Sequence, residues 1–145
     1  MRTKLIIGTL LATLLACSPA SASTRHFEGT FAGDENATIS MDVVVRRGTP
    51  REVRNLSVAD LDYRCSGGES GERSVAFGTG SIFRSARDGL FEFESELSDG
   101  GADFVIGGLM RPSLRKVKGG LAYIFDGPSG TCESSAAGVG RFVAR

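Results

Sequence analysis

The chain carries few of the side chains that usually perform covalent chemistry. Its 145 residues include one His, three Cys and no Trp. A Ser-His-acid triad needs a His that accepts and returns a proton, and the single candidate is His26. Because His26 follows closely on the predicted start of the mature chain, where residues are often frayed, we expect it to be a partly exposed residue at the end of a strand. The sequence therefore predicts no catalytic residue.

Three glutamates come closest to a catalytic pair of carboxylates. Glu92, Glu94 and Glu96 alternate with other residues, so a strand would project all three from one face at intervals of about 6.5–7 Å. This interval overlaps the separation of the two carboxylates in glycosidases, and a weak hydrolase is therefore one alternative. A row of like charges is equally typical of the solvated outer face of a sheet, which is the interpretation we prefer.

Metal and cofactor sites are not expected. Asp34–Asn36 and Asp99–Asp103 place oxygen ligands in turn-like segments, but neither matches a calcium-binding EF-hand loop. Asp, Asn and Gly are also the usual residues of turns. One His and two mature Cys are too few for a structural zinc site, which normally takes four such ligands.

The cysteines predict one disulfide. Cys17 is either removed or lipidated in the mature chain, which leaves Cys65 and Cys132 as a pair in an exported protein. We expect their bridge to pin two mobile loops, Cys65–Gly71 and Asp126–Gly138, against the sheet. The first of these loops, with the start of the strand after it, is a candidate binding loop. Its candidate residues are Ser66, Gly67, Gly68, Glu69 and Arg73.

Residues 1–22 are predicted to be a secretory signal peptide. Arg2 and Lys4 precede the apolar run Leu5–Ala16, and Ala20–Ala22 forms a small-x-small cleavage site. A membrane-spanning helix needs about 20 apolar residues, and this run is shorter. We therefore expect a protein that is secreted or periplasmic, with no transmembrane span and with residues 23–145 as a single domain. The alternative is a lipid anchor at Cys17, because the residues just before it resemble a bacterial lipobox.

Composition limits the partners. Lys+Arg and Asp+Glu balance at 17 each, which excludes the basic footprint of a dedicated nucleic-acid binder. The 41% of hydrophobic and 23% of charged residues are typical of a folded domain. We expect a monomer that meets an extracellular or envelope partner.

The mature chain alternates with a period of two, which indicates antiparallel strands with one buried face. Ile39, Met41 and Val43 share one face of a strand, and Phe91 and Phe93 share one face of another. The pattern predicts eight strands, at about 26–32, 37–46, 51–64, 73–83, 89–97, 102–110, 117–125 and 138–144. The predicted core consists of Phe27, Phe31, Ile39, Met41, Val43, Leu56, Tyr63, Phe77, Phe91, Phe93, Phe104, Ile106, Leu121, Tyr123 and Phe142.

One strand changes its inward parity in the middle. Leu56 and Val58 share one parity, whereas Leu61 and Tyr63 share the other. A β-bulge near Ala59–Asp60 would reconcile them, because one extra residue resets which side chains face inward. The fold class predicted from these patterns is all-β, a single antiparallel β-sandwich with one disulfide. A small eight-stranded closed barrel is the alternative.

Several short motifs follow one another along the chain in an order that can be compared with other proteins. They are the opening Gly29–Gly33, the alternating strand Ile39–Val45, Cys65–Gly68, the paired glycines in Val117–Leu121, and Thr131–Cys132. This arrangement resembles a loose group of small exported bacterial all-β proteins with two mature cysteines. The resemblance implies an exported all-β fold. That group has no assigned activity, so it implies no site residue.

Three functions remain from the sequence. The first is an exported, non-enzymatic β-sandwich that acts as a binding or surface-interaction module. The second is a small secreted inhibitor of a protease or other hydrolase, which would use the loop Ser66–Arg73, because a rigid loop lowers the entropic cost of binding. The third is the weak hydrolase that would use the three glutamates.

Overall fold

The structure is a computed structural model that describes residues 21–78, 80–99, 102–134 and 140–145. Cys17 and the apolar run of the predicted signal peptide lie outside the described residues. Within the described residues the chain forms eleven strands and one short 3-10 turn at Arg87–Gly89. The strands are β1 (Ala22–Phe31), β2 (Asp34–Arg46), β3 (Thr49–Cys65), β4 (Ser70–Phe77), β5 (Ser81–Ile82), β6 (Arg84–Ser85), β7 (Phe91–Asp99), β8 (Ala102–Met110), β9 (Val117–Gly127), β10 (Gly130–Ser134) and β11 (Gly140–Ala144).

Six strands form a closed circuit of hydrogen-bonded pairs. The order around it is β1, β2, β3, β10, β9 and β11, and β11 returns to β1. Each of these pairings is antiparallel. Outside the circuit, β4 and β5 pair with β3, while β8, β7 and β6 continue outward from β9. The predicted all-β, antiparallel class is therefore confirmed.

The predicted disulfide is also confirmed, but its setting differs from the expectation. Cys65 and Cys132 are bonded, and both lie in strands rather than in mobile loops. They are direct register partners in the pairing of β3 with β10. The strand β10 falls inside the segment that was predicted to be a loop. Its residues Gly130–Ser134 show no apolar alternation, and pairing with β3 and β9 on its two sides stabilises it instead.

The chain between β3 and β7 is more divided than predicted. The segment 73–83, expected to be one strand, contains most of β4 and all of β5, and a further short strand, β6, follows it. The predicted loop Cys65–Gly71 shortens to a turn, because β4 already begins at Ser70. The predicted bulge is confirmed. The β3–β4 register shifts between Val58 and Leu61, and Asp60 there has a φ of 55°.

Aromatic and aliphatic side chains fill the space inside the sheet. All of the predicted core residues are buried except Tyr63 and Phe91, which are partly buried and pack against the core. The rings of Phe104 and Tyr123 stack with centroids 4.5 Å apart, and Phe125 stacks on Tyr123 at 5.3 Å. Because the interior is packed with side chains, features that can meet a partner lie on the outer faces and at the strand edges.

Candidate functional site

A groove lies where β7 runs past β5, next to the short pairing of β6 with β7. Its volume is about 570 Å³. One wall carries Gly80, Ser81, Ile82 and Arg84, and the other wall is the segment Glu92–Glu96 of β7. We call this feature the β7 groove.

The β7 groove exposes one edge of β7. On its other side, β7 pairs with β8 along its whole length, from Phe91 opposite Met110 to Asp99 opposite Ala102. On the groove side, β6 pairs only with Phe91 and Glu92. No strand in the described part of the chain pairs with the groove-side edge from Phe93 to Ser98. The backbone N–H and C=O groups on that edge are therefore open to another strand.

Side chains alternate along this edge as the sequence predicted. Glu92, Glu94 and Glu96 are exposed, while Phe93 is buried. None of the three carboxylates forms an ion pair with a Lys or Arg among the described residues. Because Arg84 on the opposite wall is a register partner of Glu92, the groove is most negative toward Glu96. The structure thus brings the three predicted glutamates together as one solvent-facing row.

Two further side chains give the β7 groove a mixed character. Ser95 is only 5% exposed, yet it lines the groove, and its hydroxyl makes no hydrogen bond to another side chain that the structure describes. On the opposite wall, Ile82 is 72% exposed. An exposed apolar side chain such as Ile82 is a group that an added chain could cover.

In the predicted binding loop, Ser66–Glu69 forms a turn that packs against the turn at Pro128–Ser129, and we call the two together the double turn. The Cys65 amide donates to the carbonyl of Glu69 at 2.7 Å, and the Gly68 amide donates to the carbonyl of Cys65 at 2.9 Å. A second turn packs against the first: the Ser66 amide donates to the Thr131 carbonyl at 2.9 Å. The hydroxyl of Ser129 donates to Glu69 Oε2 at 2.8 Å. At Gly67 a Cβ would overlap the Ser129 carbonyl oxygen, so the two turns fit closely only with glycine.

The structure places Arg73 away from that turn, in β4. Its guanidinium lies 5.2 Å from the ring centroid of Phe125, 5.7 Å from that of Phe104 and 5.9 Å from that of Tyr123. It also donates to the Tyr123 hydroxyl at 3.4 Å. Burial raises the pKa of Tyr123 above its ordinary value, and the bond from Arg73 opposes that rise. Arg73 thus packs across the core against β8 and β9.

Sequence reasoning missed a polar cluster around His26. In the register of β1 and β2, His26 lies opposite Asp42. Its Nδ1 is 2.7 Å from Asp42 Oδ1, and its Nε2 is 3.1 Å from Glu28 Oε1. Asn55 donates to the other oxygen of Asp42 at 2.7 Å. In the sequence, His26 and Asp42 each belong to a polar series that alternates with apolar residues. That alternation predicts that both side chains face outward, but only the register of β1 with β2 makes them neighbours.

The cluster shifts two pKa values in opposite directions. The hydrogen bond to Asp42, followed by that to Glu28, raises the pKa of His26 above its ordinary value of 6.5. The hydrogen bond that Asp42 accepts from Asn55, followed by the one it accepts from His26, lowers the pKa of Asp42 below 3.8. The His26 side chain is 56% exposed, as predicted, although the residue lies within β1 and not at its end. Each ring nitrogen of His26 contacts a carboxylate, so neither nitrogen lies next to a nucleophilic side chain.

The acidic turns considered for calcium have structural roles where they are described. Asp34 is buried, and its two oxygens accept the amides of Ala37 at 3.1 Å and Asp62 at 3.0 Å. Asp103 accepts the Ser98 hydroxyl at 2.6 Å. The side chain of Asp99 and residues 100–101 lie outside the described residues. Among those that are described, no three His, Cys, Asp or Glu side chains are arranged to hold a metal ion.

The described ranges contain no helix with the length and apolar character that crossing a lipid bilayer requires. Comparison of the chain with protein-family models, with curated proteins and with solved structures found no match.

Proposed function

We propose that this protein is an exported, non-enzymatic binding module that holds a polypeptide partner in the β7 groove. The observation that carries the proposal is the open edge of β7 from Phe93 to Ser98, next to a row of three exposed carboxylates. General acids in enzymes are usually shielded from solvent, whereas Glu92, Glu94 and Glu96 are exposed. Their exposure favours binding over hydrolysis.

Export is supported by the Cys65–Cys132 disulfide, because such bonds persist in oxidising compartments. Secretion, a periplasmic location and a lipid anchor at Cys17 would all present the β7 groove to an extracellular or envelope partner. We favour a β-sandwich as the description of the fold. In support of it, β4 lies across the core from β8 and β9, where Arg73 covers the rings of Phe104 and Tyr123.

The second candidate function is inhibition of a protease or other hydrolase by the double turn. Two observations favour it. The turn Ser66–Glu69 is tied to Thr131 by the backbone hydrogen bond from the Ser66 amide, and the disulfide lies directly beside it. Such a turn pays little conformational entropy on binding. We rank it second because its amides are used within the turns, whereas the edge of β7 is open.

A photoreactive amino acid introduced into the protein in its producing cells tests the proposal. At position 82, on the wall of the groove, it should cross-link a defined partner. At position 35, an exposed site on β2, it should not yield that product. The same partner captured equally from both positions, or no product from position 82, would contradict binding in the groove. A product obtained only from position 66, an exposed site in the turn Ser66–Glu69, would favour the double turn instead.

A further inference from the structure

We infer that the occupant of the β7 groove is an extended segment that joins β7 as an additional strand and carries Lys or Arg at alternate positions. This inference rests on the proposed function and names the chemistry of the partner. It starts from the pairing of β7. The strand is paired along its whole length with β8, whereas on the groove side no described strand pairs with it from Phe93 to Ser98.

The backbone argument concerns where the edge is open. The pairing of β6 with β7 stops after Glu92, while β5 pairs with β3 and not with β7. Beyond Glu92 the pairing on this side of β7 is therefore interrupted, and this interruption is the gap that the β7 groove occupies. An extended chain in the gap would satisfy the alternate N–H and C=O groups of β7, which is how peptides bind by strand addition.

The outer side chains specify the charge of the added strand. Residues directly opposite each other on neighbouring strands have Cβ atoms about 4.5–5.5 Å apart, and opposite charges there are stabilising. Glu94 and Glu96 would each face an outward residue of the added strand. Because Arg84 already accompanies Glu92, the need for a cation is greatest at the other two glutamates.

The inner side chains specify what lies between those cations. Phe93 and Ser95 are buried, and Leu97 is partly buried and packs against the core. Inward residues of the added strand would extend this apolar face, so small or apolar side chains suit them. One polar hydroxyl among them could bond to Ser95. The predicted pattern is thus basic and apolar residues in alternation.

The same row of glutamates disfavours a second copy of this chain as the occupant. If two copies paired antiparallel through β7 about a two-fold axis, glutamates would face glutamates across the interface. Like charges directly opposite each other are destabilising. A charged edge can also serve only to prevent sheet-to-sheet aggregation, which is an outcome the experiment distinguishes.

The probe is a synthetic, fluorescently labelled peptide of about seven residues in which Lys and Val alternate. Its binding to the oxidised mature protein is measured by fluorescence anisotropy. One comparison peptide has the same composition with all Lys residues contiguous. Two further peptides keep the alternating sequence but are N-methylated at every second amide, one at the odd-numbered amides and the other at the even-numbered amides. Strand addition predicts binding of the alternating peptide, weaker binding of the contiguous one, and loss of binding when the amides that face β7 are methylated.

Single substitutions locate the site. Glu94→Gln should weaken binding about two- to fivefold, which is the effect expected from loss of one opposite-charge pair across strands. Glu92→Gln should have a smaller effect, because Arg84 lies beside it. Glu35→Gln, an exposed glutamate on β2, is the matched control and should leave binding unchanged.

Equal binding of the alternating, contiguous and methylated peptides would overturn the inference, since it would show charge attraction without strand pairing. No binding of any peptide would also overturn it. The glutamates would then serve only to prevent the exposed edge from pairing with other strands. If position 82 still cross-links a partner in either case, the proposed function stands and only the inferred strand is wrong. If position 82 captures no partner, the proposed function fails as well.

Discussion

Cys65 and Cys132 face each other directly where β3 meets β10, so the disulfide spans the pairing that closes the circuit of six strands. That pairing is short, with Cys132–Ser134 as its β10 partners. The bond joins residues 67 positions apart. It therefore fastens a long loop at one of the two shortest pairings in the circuit, the other being that of β1 with β11.

We expect loss of this bond to destabilise the fold strongly. The entropy of closing a loop of this length in the unfolded chain corresponds to about 4 kcal/mol as an upper value. Urea unfolding of the wild-type protein and of a Cys65→Ala/Cys132→Ala variant measures the difference. Equal unfolding midpoints would show that β10 holds its place without the bond.

The sole histidine allows a direct test of the His26–Asp42 pair. The imidazole resonance should titrate above 6.5 in NMR, because carboxylates at both ring nitrogens stabilise its protonated form. Asp42→Ala should lower the pKa of His26 toward 6.5. Glu35→Gln should leave it unchanged, and a wild-type value at or below 6.5 would contradict the observed cluster.

The same cluster makes stability depend on pH. The pKa of His26 is raised in the folded state, so its contribution is complete below 6.5 and is lost as pH rises through the folded value. The pKa of Asp42 is lowered, so its contribution is present above 3.8 and is lost as pH falls. The wild-type protein should therefore exceed His26→Gln in stability most between these two values. A difference in unfolding midpoint that decreases neither as pH falls below 3.8 nor as pH rises through the folded pKa of His26 would contradict the prediction.

Arg73 should stabilise the core from β4. Arg73→Met keeps much of the side-chain length but removes the charge over the three rings, and we expect a loss of about 0.5–2 kcal/mol. The pKa of Tyr123 should rise further, because burial continues to raise it while the bond from Arg73 is gone. Denaturant unfolding and an ultraviolet titration of tyrosine measure the two effects. Arg64→Met, at an exposed site of β3, is the control, and an equal loss in both variants would remove the special role of Arg73.

The strand map shows what alternation can and cannot predict. The bounds of β8 and the buried face of β2 follow from period-two patterns, because a side chain's face depends only on its own strand. The strand β10 could not be predicted, since Gly130–Ser134 gains its stability from β3 and β9. The groove and the His26–Asp42 pair were also missed, because both depend on which strands become neighbours.

Close contact between β8, β9 and β11 gives a stability prediction. A Cβ at Gly119 would overlap the carbonyl oxygen of Gly107 and lie against the ring of Phe142. We expect Gly119→Ala to cost about 1–3 kcal/mol, as is usual when extra atoms enter a filled space. Gly78→Ala is the matched control, because a Cβ there meets no atom within 4 Å. Similar unfolding midpoints for the two variants would contradict the close approach.

The central claim is that a polypeptide binds at the open edge of β7, and amide NMR tests it most directly. On addition of the alternating Lys-Val peptide, the amides of Phe93–Ser98 should shift, and those on the groove side should exchange more slowly with solvent. The amides of β1 and β2 should remain unchanged. Shifts confined to the turn Ser66–Glu69, or to any face away from the groove, would contradict the account.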